Sequence, residues 1–263
     1  MPFAKINELE LYYEIQGEGP PLLLVAGLAS DSQSWGTVKD QLAQQFQVIV
    51  FDNRGVGRTR PQQASASIAR MAADCVGLAR YLGIDKFHLL GHSMGGLIAL
   101  ETAIGYPEHV DRLIIAASGA STGARNNCLF EDWAKTRAHE TELTRWFRIF
   151  FYWIFTPGFF DDAKALEEAL SLAVDYPYPQ SNAGFAHQVR AMAGFDGRER
   201  LASIRAQTLV IAGGEDLLFP PAVCRLLADA IPASGFAQID QAAHAIFVEK
   251  PGDFIEAVAG FLR

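Results

Sequence analysis

The chain has 263 residues, half of them hydrophobic, and a net charge of −8. That length can bury one substantial core with an inserted subdomain, while the acidic balance and the lack of any Lys/Arg cluster argue against a nucleic-acid partner. Cys75, Cys128 and Cys224 stand far apart with no CxxC pair, which excludes a disulfide framework or a zinc motif and fits a reducing, cytoplasmic setting.

Residues 1–8 lack a basic start followed by an apolar run, so no signal peptide is expected. No apolar stretch approaches the roughly 18 residues of a membrane span. Residues 3–16 alternate as an opening antiparallel hairpin does, and Gly17-Glu18-Gly19-Pro20-Pro21 breaks the pattern. The continuous apolar run at 22–26 predicts a strand buried on both faces of a parallel sheet. A loop to Trp35, a modest helix through Gln44 and a strand at 46–51 follow, then the glycine-punctuated loop 52–59. The spacing of Ile68, Met71, Ala72, Cys75, Leu78, Ala79 and Leu82 predicts a helix over 67–82, stopped by Gly83. A short strand at 86–92 runs through Gly91-His92-Ser93-Met94-Gly95 into an apolar helix that ends before Pro107, and another strand is expected at 112–118.

From Gly119 to Arg200 no strand is predicted. Helical stretches near 125–138, 140–155, 161–174 and 180–193 read as a cap, with a strongly aromatic run at 146–155. Strand, helix, strand and helix then resume at 208–214, 221–230, 235–240 and 251–262. The expected organisation is an α/β core, residues 1–118 and 201–263, with a helical cap subdomain at 119–200.

The chemistry centres on Ser93. A serine flanked by glycines between a strand and a helix is held in a sharp turn that lifts its hydroxyl over the helix N-terminus, where N–H groups and the dipole favour a developing anion. A serine hydroxyl needs a base, and the base needs an orienting group. In an open α/β sheet both belong in loops after later strands. Asp216 follows the strand at 208–214 and His244 follows that at 235–240, giving the chain order Ser, Asp, His. Glu215 and Asp240 compete with Asp216, which is preferred on position. Of the six histidines, His88 lies within a strand, His92 packs or hydrogen-bonds beneath the turn, His109 falls on the opposite side of the sheet, and His139 and His187 fall in the cap. The backbone N–H groups of Met94 and Leu28 are the expected oxyanion donors. Gly27, Trp153 and Phe219 are the residues expected at the substrate.

Together, Gly91-His92-Ser93-Met94-Gly95-Gly96, the Asp52-x-Arg54-Gly55-x-Gly57-x-Thr59 loop, Gly214-Glu215-Asp216 and His244 resemble the α/β-hydrolase superfamily over essentially the whole chain. The resemblance implies an eight-stranded, mostly parallel sheet flanked by helices with an inserted helical cap. It also implies structural roles for Asp52 and Arg54. Many family members carry His-Gly at the oxyanion loop, where this chain has Ala26-Gly27-Leu28; the donor role needs only the backbone. The Gly-Leu loop ending at Trp35, the Asp-Asn-Arg-Gly loop and the compact cap are similar to 3-oxoadipate enol-lactonases and aminoacrylate hydrolases. A serine at the nucleophile position separates the chain from haloalkane dehalogenases and epoxide hydrolases, which use aspartate there.

The leading expectation is a serine hydrolase without cofactor or metal, acting on a small carboxylic ester or lactone. C–N or C–C hydrolysis and perhydrolysis share the same machinery, and a slow-turnover ligand receptor is the reading from another class. The aromatic cap and the lack of an inward-facing Arg/Lys pair lean toward an uncharged or weakly polar acyl group, with Arg125, Arg145, Arg148 and Arg190 the candidates if a carboxylate is bound.

Overall fold

The computed structural model describes residues 2–263. The opening hairpin pairs β1 (Phe3–Ile6) with β2 (Leu9–Gln16) through a turn in which Asn7 takes φ 52°. β3 (Pro21–Val25) follows, then a 3-10 turn capped by the Asp31 carboxylate and α1 (Gly36–Leu42), which ends slightly before the expected Gln44. β4 (Gln47–Phe51) leads through the glycine loop to α2 (Ile68–Tyr81). There the Ser67 hydroxyl accepts from the Arg70 N–H as N-cap.

β5 (Phe87–His92) enters α3 (Met94–Gly105), and β6 (Val110–Ala116) follows. The strand expected at 112–118 thus ends two residues earlier. Ala117 takes φ 48°, which no strand continues, and Ser118 turns inward to the loop beneath the elbow. Between β6 and the next strand lie α4 (Gly123–His139), α5 (Leu143–Ile154), α6 (Ala163–Val174) and α7 (Asn182–Ala193), with one 3-10 turn between α5 and α6 and another after α7. β7 (Gln207–Gly213), α8 (Pro221–Ala230) and β8 (Ser234–Ile239) complete the sheet. A four-residue α9 (Ile246–Glu249) that the sequence pattern does not signal precedes α10 (Pro251–Leu262).

The eight strands run in the order β1-β2-β4-β3-β5-β6-β7-β8. The β1–β2 and β2–β4 pairs are antiparallel, and every later pairing is parallel. The unbroken apolar runs have their reason in this topology: helices cover both faces. Leu23, Val25, Ile49, Leu89 and Ile115 pack with α2 and α3 on one face, whereas Leu22, Leu24, Val48, Leu90 and Ile114 pack with α1 and α10 on the other. Each such side chain contributes about 1.5–3 kcal/mol by leaving water. α3 is apolar on all sides because it is enclosed on all sides. Among the described residues no helix is long and apolar enough to cross a membrane.

Candidate active site

β5 ends in a strained turn. Ser93 sits at φ 55°, ψ −118°, a backbone conformation that costs an L-residue about 1–3 kcal/mol and persists only where neighbours over-determine it. Here they do. The Ser93 N–H donates to Ala116 O at 2.9 Å, and Ser93 O accepts from the Ser118 hydroxyl and the Gly96 N–H, each at 2.8 Å. A Cβ on Gly95 would lie 2.0 Å from Val25 O, so only glycine lets α3 start this close to β3.

His244 follows β8, and Asp216 follows β7. The His244 Nδ1–H donates to Asp216 Oδ2 at 2.9 Å, while Asp216 Oδ1 accepts from the N–H groups of Leu218 (2.8 Å) and Phe219 (2.9 Å). Burial alone would raise the Asp216 carboxyl, but the His244 charge and these hydrogen bonds outweigh it and hold the pKa below the usual carboxylate range. With Nδ1 committed to the carboxylate, Nε2 is the free imidazole nitrogen. The competing Glu215 and Asp240 are exposed, and Asp240 accepts from Gln238.

Ser93 and His244 open into one cavity of about 470 Å³ between the carboxyl ends of the strands and the helices inserted after β6. The Ser93 hydroxyl makes no hydrogen bond to the protein among the described residues. Gly27 and Leu28 line the floor of the cavity, and a Cβ on Gly27 would stand 3.2 Å from Ser93 Cβ. Neither the Leu28 nor the Met94 N–H has a protein acceptor among the described residues. Phe130, Trp133, Phe147 and Phe150 form an aromatic wall, and the exposed Leu172 and Val248 stand at the rim.

Two residues expected at the substrate lie elsewhere. Trp153 does not line the cavity; its ring stands against Trp133 and under Arg125. Phe219 is buried behind His244, its ring stacked on the imidazole with centroids 6.0 Å apart, and it does not line the cavity. The loop residues also have defined partners. Asp52 accepts from Ser32 and Arg58, and Arg54 forks onto Asp74 at 2.7 and 2.9 Å. His92 donates from Nε2 to His244 O at 2.8 Å, His88 stands 3.4 Å from Asp111, and His139 is exposed. His109 contacts Asp85 O, and His187 contacts Ala64 O.

A sequence profile described as alpha/beta hydrolase fold matches residues 20–251. The chain belongs to the α/β-hydrolase family. This α/β hydrolase is 33% identical over 263 residues, 99% of its own length and 98% of the other's, to a protein of Azorhizobium caulinodans that carries the name carbamate hydrolase RutD. Its fold is similar to the enol-lactonase of Burkholderia xenovorans LB400, with TM-score 0.90, 26% identity and 99% of each chain covered. It is also similar to a malate-bound thermophilic esterase of Thermogutta terrifontis, with TM-score 0.87 and 28% identity over 100% of this chain and 97% of the other.

Sequence reasoning misses two polar residues of this α/β hydrolase. Arg125, Arg145, Arg148 and Arg190 are all exposed, whereas Arg137 is buried and lines the cavity. The i, i+3, i+7 spacing of Phe130, Trp133 and Arg137 on one face of α4 is the signal that would have found it. Glu249 of α9 accepts from the Ala243 N–H, next to His244, and from Thr156 beyond the end of α5. Nothing local in the sequence marks that link.

Proposed function

We propose that this α/β hydrolase cleaves a small carboxylic ester or lactone through an acyl-enzyme on Ser93, with His244 as general base and acid and Asp216 as its orienting group. One observation carries the reading: a serine strained to φ 55° faces the same cavity as an imidazole whose Nδ1 is held at 2.9 Å by a buried carboxylate. Ser93 Oγ attacks the acyl carbonyl as His244 Nε2 takes its proton. The tetrahedral oxyanion accepts from the Leu28 and Met94 N–H groups, each worth about 2.7–4 kcal/mol in the transition state. The intermediate collapses as His244 returns the proton to the leaving oxygen. Water activated by the same nitrogen then attacks the Ser93 ester and frees the acid. Asp216 stays ionised throughout and stabilises the imidazolium.

Residues 119–200 act in this proposal as a cap subdomain on a core of residues 1–118 and 201–263, supplying the aromatic wall. A cytoplasmic location belongs to the same proposal and is supported by three unpaired cysteines.

Steady-state hydrolysis of p-nitrophenyl esters from acetate to decanoate, with several lactones, tests the reading. Sustained turnover that Ser93→Ala abolishes without unfolding the protein is expected. Retained ester cleavage in Ser93→Ala contradicts the nucleophile assignment, and a single burst without turnover points to a receptor-like protein. The name of the 33% identical relative favours a second reading, C–N cleavage of a carbamate by the same three residues. Ammonia release from a simple carbamate, faster than any ester or lactone is cleaved, would move the assignment there.

A further inference from the structure

Arg137 is the one cavity-lining cation that the protein leaves uncompensated among the described residues. Its side chain is 7% exposed, and no carboxylate lies within salt-bridge distance. Its single hydrogen bond runs from Nη2 to the Gln180 backbone O at 2.9 Å, and buried Nε has no acceptor. Aromatic faces surround the guanidinium: Trp146 at 4.9 Å, Phe185 at 5.5 Å and Phe147 at 5.9 Å from the ring centroids. Burial lowers its pKa, yet an arginine remains protonated in any protein setting.

A buried cation is costly unless something pairs with it. Aromatic faces recover part of that cost, but they supply no hydrogen-bond acceptor. Trp133, one helical turn earlier on α4, also lines the cavity, and its buried Nε1–H has no acceptor either. The cavity's own carboxylate is already engaged. Asp31 accepts from the Tyr176 hydroxyl and the Gln33 N–H, and Arg58 stands 3.9 Å away. Gln180 Oε1 is the neighbouring acceptor without a donor. Donors therefore outnumber acceptors around Arg137, and the shortfall is an anion.

We propose that Arg137 is a specificity-determining residue that holds a carboxylate of the substrate distant from the scissile bond, so that the preferred substrate is the ester or lactone of a short dicarboxylic acid. The inference rests on the hydrolase reading above and corrects the expectation of an uncharged acyl group. The fixed point charge favours the anionic substrate over a neutral one of the same length, because the neutral one leaves the guanidinium buried and unpaired.

The test compares the mono-p-nitrophenyl ester of glutaric acid with p-nitrophenyl pentanoate, which has the same chain length and an apolar end. The native protein is expected to favour the hemiester in kcat/KM by about tenfold or more, the scale of one charge-assisted hydrogen bond. In Arg137→Gln the ratio is expected to collapse to about threefold or less, through KM, with Arg137→Lys between the two. A native ratio near one, or a preference for pentanoate, overturns the proposal and needs no variant to fold. If neither ester is cleaved, the ester reading above fails, and the subsite is read separately by titrating glutarate into Ser93→Ala while following the tryptophan fluorescence. Saturable quenching that Ser93→Ala/Arg137→Gln loses sustains the anion site, and no saturable change overturns it. Equal saturation by inorganic phosphate overturns the carboxylate assignment.

Discussion

His92 lies against the His244 ring, with centroids 4.9 Å apart, and donates to its carbonyl; burial there pushes the His92 pKa down from 6.5 to about 3. The unfolded chain takes up this proton near pH 6.5, whereas the folded one resists it until near pH 3. The unfolded state therefore binds more protons across that window, and stability falls as pH drops from 6.5 toward 3. His92→Gln keeps an N–H for the His244 carbonyl and removes the titration. Thermal melts should lose Tm less steeply with acid in this variant than in the native protein, and parallel slopes would refute the assignment. At this scale the sequence is informative where chain order constrains chemistry. Asp216 stands out from Glu215 and Asp240 because it follows a strand at the right place, and the structure finds it buried on His244. Arg137 is not legible in the same way. It reads as one more charge on an exposed helix, and only the packing of Trp146, Phe147 and Phe185 from other helices encloses it.

The parallel strands are legible at the scale of elements because burial on both faces demands unbroken apolar runs such as Leu22-Leu23-Leu24-Val25. Their ends are less so: β6 stops at Ala116 because of the backbone turn at Ala117, which no side-chain pattern encodes. The four-residue α9 is too short to show a period, yet it carries the link between two functional elements. The Glu249 carboxylate accepts from the Ala243 N–H, in the loop holding His244, at 2.8 Å and from the Thr156 N–H at 2.9 Å, and the Ala245 N–H donates to Ile154 O at 2.9 Å. These bonds tie the end of α5 to the backbone on both sides of His244. Glu249→Ala is expected to cost about 1–3 kcal/mol of unfolding free energy in urea and to lower kcat by displacing His244, with Glu249→Gln recovering part of both. Unchanged kcat in a destabilised Glu249→Ala protein would show that the link supports only the fold.

For the whole molecule, the sheet order explains why residues distant in the chain meet. β5, β6, β7 and β8 are successive neighbours and parallel, so Ser93, Asp216 and His244 emerge at one edge. The helices between β6 and β7 are inserted where the chain leaves that edge, and they close an aromatic cavity over it. Fold alone would not license a chemistry; the strained serine, the oriented imidazole and the two unpaired N–H groups are what support the proposed one. Covalent catalysis by Ser93, as proposed, is read directly by rapid-quench mass spectrometry with p-nitrophenyl acetate. A transient gain of one acetyl group is expected, confined to the peptide that contains Ser93 and absent from Ser93→Ala. Turnover without any adduct, or an adduct on another residue while Ser93→Ala still hydrolyses the ester, would contradict it.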